Sequence, residues 1–173
     1  MSEEILICFD ENGNEIDPQP RSEVVKEPRR WWCGAGDTFV VNTNNQILCS
    51  QRSNKVGGMP GKWQALFGGH VKFGKTFKET TRDELEEESG IVASLDDLLF
   101  VSRVPYEPQK YFHEYYLYLY PGNESDIKLD PNEVTQCKWF GFEEYNQSVL
   151  SNPDQWTNAC TKENQEIIKK ILD

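Results

Sequence analysis

The sequence predicts an α/β fold, a mixed β-sheet between helices with an N-terminal hairpin, on three observations. Short runs rich in β-branched and aromatic residues recur along the chain, bounded by Asn, Gly and Pro. Segments with helical apolar spacing lie between and after them. Their order is strands, a helix, more strands and two closing helices, which suits helices layered on a sheet.

Each element has a local reason. Ile5 to Phe9 and the residues after Asn12-Gly13 read as a hairpin. Pro18 to Arg30 is a polar, proline-punctuated connection with a short helix expected around Ser22 to Lys26. Thr38 to Val41 and Gln46 to Ser50 form a second hairpin across Asn44-Asn45, and Arg52 to Lys62 is a basic, glycine-rich loop. Thr76 followed three residues later by Glu79 is a capping box, Phe77, Thr81 and Leu85 repeat at i+4, and Gly90 stands where a left-handed cap ends the helix. Leu98 to Val104 and Tyr111 to Tyr120 are strands; the second, rich in tyrosine, reads as core and sheet surface before it reads as a base-stacking platform. Trp139 and Phe140 close the sheet. Glu143 to Leu150 and Thr161 to Leu172 are amphipathic, the last helix packing through Ile167, Ile168, Ile171 and Leu172.

Composition sets bounds. At 173 residues, with 37% hydrophobic content, the chain is one-domain sized and able to bury a core. It divides into a hairpin and connection over 1–35, a core over 36–150 and a C-terminal helix over 151–173. A net charge of −11 without a Lys/Arg block argues against a nucleic-acid polymer as partner. Cys8, Cys33, Cys49, Cys137 and Cys160 are odd in number and lack C-x-x-C spacing, so free thiols in a reducing compartment are expected. With neither a signal pattern nor an apolar run of spanning length, a cytoplasmic protein without membrane association is the default expectation.

The richest chemistry lies between Gly69 and Ile91. Glu84, Glu87 and Glu88 fall at i, i+3 and i+4, one helical face, with Asp83 and Glu86 adding negative charge and Arg82 the only cation close by. Such pairs oppose helix formation by roughly 0.2 to 0.5 kcal/mol each, so a divalent cation is the implied partner. Gly68, Gly69 and Gly74 precede the helix and suit a loop that presents backbone to a ligand.

This stretch resembles the signature of the Nudix family, G-x5-E-x7-R-E-U-x-E-E-x-G-U with U aliphatic. Gly69 matches its first glycine, Glu84-Leu85, Glu87-Glu88 and Gly90-Ile91 the rest; Lys75 replaces its first Glu and Asp83 its Arg. ILCSQRS, PGKWQALFGGHV and KWFGFEEY resemble the framing segments, so the likeness covers most of residues 36 to 150. It implies the Nudix α/β/α sandwich and a Mg²⁺ site, with Mn²⁺ as alternative, held by Glu84, Glu87, Glu88 and the Gly69 carbonyl. It further implies a catalytic base, either Glu84 itself or a distant glutamate, for which Glu133 is the first candidate and Glu114 the second. Arg52, Lys55, Lys62, Arg103 and Lys110 are candidate phosphate cations, and His70 a candidate ligand contact.

The implied function is metal-dependent hydrolysis of a phosphoanhydride in a small-molecule diphosphate, chiefly a nucleoside diphosphate linked to another group. The alternative from another class is a non-catalytic Nudix module binding a nucleotide or a partner protein, which the two departures make credible. The N-terminus resembles the isopentenyl-diphosphate-isomerase-like branch, but that chemistry uses a cysteine before the paired glycines and several histidine ligands. Here Gln64-Ala65-Leu66-Phe67 and two histidines stand instead. Substrate identity and oligomeric state, a homodimer included, stay open.

Overall fold

The computed structural model describes residues 3–157 and 162–172; Cys160 lies outside them. Its spine is β3 (Trp32–Asn42), which pairs in parallel with β8 (Tyr111–Tyr120) from Cys33↔Tyr111 to Asn42↔Tyr120. Along its other edge β3 meets three antiparallel partners in turn: β1 (Ile5–Phe9), then β6 (Phe67–His70), then β4 (Ile47–Arg52). The hairpin partner β2 (Glu15–Pro20), the short β5 (Trp63–Gln64), β7 (Leu98–Tyr106) and β9 (Val134–Phe140) extend the sheet to nine strands among the described residues. Parallel and antiparallel pairs together make it mixed, as expected.

Helices cover both faces because strand residues alternate. Val40, Leu48, Tyr116 and Tyr118 pack with Phe77 and Leu85 on one face, the side of α2 (Phe77–Ser89). Phe39, Val41, Ile47 and Tyr115 pack on the other with Tyr145 and Val149 of α3 (Phe142–Ser151) and Ile168 and Leu172 of α4 (Lys162–Leu172). Ile167 and Ile171 are partly buried against this second core, so the last helix docks through the expected residues. A period of two along the strands thus delivers two cores.

Local chemistry sets the ends of α2. The Thr76 hydroxyl accepts from the Glu79 amide at 3.2 Å while the Glu79 carboxylate accepts from the Thr76 amide at 2.8 Å. Gly90 closes the helix at φ 69°. The helix lies close on β3 because Gly36 has no side chain: a Cβ there would come within 2.6 Å of the Phe77 carbonyl and the Thr81 hydroxyl.

Three boundaries differ from expectation. Strand β3 begins at Trp32, not Thr38, since Cys33 to Gly36 are covered on both faces and show no polar alternation. The first helix, α1 (Arg21–Val24), is one turn and ends before Lys26. Short strands β5 and β6 occupy a stretch whose glycines suggested a loop. Among the described residues no helix is long and apolar enough to cross a membrane.

Candidate active site

Glu84, Glu87 and Glu88 converge on one cavity of about 380 Å³ that Gly68, Gly69 and His70 of β6, Arg52 of β4 and Glu133 also line. The helix supplies the carboxylates and the sheet supplies the opposite wall. Glu88 is buried at 4% exposure and its Oε2 has no hydrogen-bond partner. Burial, then the nearby Glu84 and Glu133 charges, push its carboxyl well above the usual range. Glu84 is pushed up to about 7, first by burial and then by Glu87.

These features fit a cation from outside the chain. An unpaired buried carboxylate oxygen costs about 1 to 3 kcal/mol, so it calls for a partner. Gly69 forms the cradle: a Cβ there would stand 2.8 Å from the Glu84 carboxyl carbon, so glycine lets backbone and carboxylate approach without a shift of the Glu84 side chain. Among the described residues no three His, Cys, Asp or Glu side chains are grouped closely enough to hold a metal ion between them. A hard ion bound here would take most of its coordination from backbone, water and ligand oxygens.

Arg52 and Glu133 are brought in by paired backbone. The Arg52 amide donates to the Lys62 carbonyl at 2.9 Å, and the Ser53 amide to the Glu133 carbonyl at 2.7 Å, tying the basic loop to the segment before β9. The Arg52 guanidinium donates to the Gly58 carbonyl at 2.7 Å and to Gln64 Oε1 at 3.1 Å. His70 Nε2 lies 3.0 Å from the Tyr111 hydroxyl, and burial lowers its pKa to about 4, aided by Arg21 and Arg29, so the ring is neutral at physiological pH.

Other expected residues stand elsewhere. Lys55 does not line the cavity; its amine donates to Asn132 Oδ1 at 3.1 Å. Glu114 is taken up on the α2 face, accepting from the Tyr116 hydroxyl at 2.6 Å. Arg103 lies 5.2 Å from the ring centres of Phe9, Phe77 and Phe112. The Lys110 amine donates to the Arg30 carbonyl at 3.5 Å, and Lys62 does not line the cavity either.

Sequence reading missed Lys72, Glu4, Arg21 and His113, all on the cavity wall. Lys72 and Arg21 pair with Glu4 at 2.9 and 2.6 Å. The Phe73 amide donates to the Ile5 carbonyl, a link across the N-terminal hairpin that no local pattern announces. Lys75 and Asp83 pair with each other at 2.5 Å, and neither lines the cavity.

The NUDIX domain family model matches residues 34–160. Nudix hydrolase 3 of Arabidopsis thaliana is 30% identical over 126 residues, covering 67% of this chain but only 16% of that protein's length. An isopentenyl-diphosphate Delta-isomerase of Serratia proteamaculans is 23% identical over 159 residues, covering 90% of this chain and 86% of its own. Among solved structures, a Deinococcus radiodurans protein superposes with a TM-score of 0.71 at 19% identity, covering 97% of this chain and 99% of that one. At that identity the likeness speaks to fold.

Proposed function

Because the chain belongs to the Nudix family, we propose that it hydrolyses a phosphoanhydride bond in a nucleoside diphosphate linked to another group, or in a related diphosphate, with Mg²⁺ or Mn²⁺. The observation that carries this reading is the buried, unpartnered Glu88 Oε2 beside Glu84 and Glu87 in one cavity. Glu84, Glu87, Glu88 and the Gly69 carbonyl would hold the ion. When bound, a divalent cation neutralises a diphosphate and lowers the pKa of an attacking water.

The chain's own groups divide the remaining work. Arg52 and Lys72 line the same cavity as the carboxylates and supply fixed positive charge for phosphate oxygens. Glu133 is the assigned base: its carboxylate takes the water proton as the water oxygen attacks phosphorus and the anhydride P–O bond breaks. Glu84 is the alternative base.

The isomerase reading fits less well. That chemistry needs a cysteine at the site, and among the described residues no cysteine lines the cavity. Cys8, Cys33 and Cys49 are buried in the core. A screen of nucleoside di- and triphosphates, dinucleoside polyphosphates, nucleotide sugars and prenyl diphosphates with each metal, scored by released phosphate, tests the proposal. Turnover of a nucleoside diphosphate derivative is expected; metal and nucleotide binding without any turnover would favour the non-catalytic module instead.

A further inference from the structure

Cys8 of β1 and Cys33 of β3 stand directly opposite each other across an antiparallel pair. The Cys33 amide donates to the Lys110 carbonyl at 3.0 Å, on the side of β8. A strand residue turns its N–H and C=O to the same side, so the backbone of Cys33 faces β8 and not β1. The Ile7 amide donates to the Val71 carbonyl at 3.1 Å, which turns the backbone of its neighbour Cys8 the other way. The two cysteines are therefore a non-hydrogen-bonded pair, in which opposed Cα atoms approach most closely, to about 4.5 Å. A disulfide bridges Cα separations of about 4.4 to 6.8 Å.

Their side chains leave the same face and are fully buried in one small cluster with Leu6 and Val24. Cys49 and Cys137 also lie on neighbouring strands, but one step out of register: Cys137 faces Ser50 and Cys49 faces Lys138. Cys49 accordingly enters the core under α3 and α4, while Cys137 packs against the core under α2. The cluster around Cys8 and Cys33 is also a weak point of the fold. The N-terminal hairpin meets β3 through two register pairs, Cys8↔Cys33 and Phe9↔Trp32, and the one-turn α1 covers the cluster through Val24. So short a junction belongs to the part of a fold that opens first.

We propose that Cys8 and Cys33 form a redox staple, which a hydroperoxide closes into a cross-strand disulfide that locks the N-terminal hairpin to β3 and a dithiol reopens. One sulfur attacks the peroxide, the O–O bond breaks, and a sulfenic acid and one water form. The second sulfur attacks the sulfenic sulfur; the S–S bond forms, the S–O bond breaks, and a second water leaves. Two thiols thus lose two hydrogens and hydrogen peroxide becomes two waters. Burial holds both thiols protonated in the closed fold, so the reaction waits on local opening of the hairpin. The staple bears on the site as well, because Glu4, next to β1, and Arg21, the first residue of α1, line the carboxylate cavity.

The test is oxidation of the full chain with hydrogen peroxide, in buffer and again in urea below the unfolding transition, where access to the hairpin no longer limits the reaction. Free thiols are then blocked under denaturing conditions and peptides mapped by mass without reduction. A peptide joining Cys8 to Cys33, two hydrogens lighter than its parts, is expected. The unfolding temperature of the oxidised protein should rise by about 10 °C, and dithiothreitol should reverse the rise. Cys8→Ala should abolish the rise; should that variant lose its fold, the peptide map of the wild-type chain still decides. Both cysteines recovered as free thiols after oxidation in urea would overturn the proposal. So would sulfinic acid at either, pairing of either with another cysteine, or a cross-link that leaves the unfolding temperature unchanged.

Discussion

The Lys75 amine lies 2.5 Å from Asp83 Oδ2, so the two positions that depart from the family signature carry exchanged charges and meet as an ion pair. Arg82 reaches the other oxygen of Asp83, its Nε at 2.8 Å. Burial works to raise the Asp83 carboxyl, but Lys75 and Arg82 together hold it below its usual range. The pair braces the loop before α2 against the helix, and Asp83 projects away from the cavity that Glu84 lines.

On the proposed function, that geometry predicts an exchange without effect on rate. The double substitution Lys75→Glu with Asp83→Arg should leave turnover within about threefold, and Lys75→Ala should cost no more than about 1 kcal/mol, because the Lys75 side chain is 42% exposed. Steady-state kinetics and denaturant titration check both. A large rise in rate in the double variant would mean that the departures limit catalysis.

Metal should stabilise the fold through Glu88. With Mg²⁺ at about a hundred times its Kd, the unfolding free energy should rise by about 2.7 kcal/mol, and chelation should reverse it. Glu88→Gln should abolish that shift while making the metal-free protein at pH 8 more stable, since a carboxyl whose pKa is raised by burial in the folded state costs native stability as pH climbs above its unfolded value. Thermal unfolding of both proteins with Mg²⁺ and with EDTA reads each effect; an undiminished shift in Glu88→Gln would remove it from the ligand set.

Gly69→Ala tests the cradle. The added methyl would stand 2.8 to 2.9 Å from the Glu84 carboxyl atoms, so that carboxylate must move. A displacement of about 1 Å at a reacting centre costs about a hundredfold in rate, which is the expected loss in kcat, with the circular dichroism spectrum unchanged. Wild-type kcat in this variant would show that Glu84 need not approach the backbone.

Thiol chemistry should be silent at the site. Burial pushes the Cys33 thiol up to about 12, opposed by Arg29, and raises Cys8 as well. Thiolate forms only as pH rises through the pKa, so at pH 8 both should resist iodoacetamide in the native protein. Peptide mass mapping should find the half-buried Cys137 modified ahead of Cys8, Cys33 and Cys49, with turnover unaffected. Loss of activity on modifying one of these four would revive the isomerase reading.

What the sequence by itself determined is what neighbours in the chain decide. The capping box of Thr76 and Glu79, the left-handed Gly90 and the i, i+3, i+4 spacing of Glu84, Glu87 and Glu88 depend on contacts within one or two helical turns, so they were legible in full. The hairpin turns at Asn12-Gly13 and Asn44-Asn45 were legible for the same reason. Only tertiary structure decided the parallel pairing of β3 with β8, which joins residues some eighty positions apart and leaves no local mark. That pairing places His113 beside Ala35 and within reach of Asp37. It also decided which cations meet the site: Arg52 and Lys72 line it while Lys55 does not, because a lysine's reach is set by the path of its backbone, and charge patterning along the chain carries no record of that path.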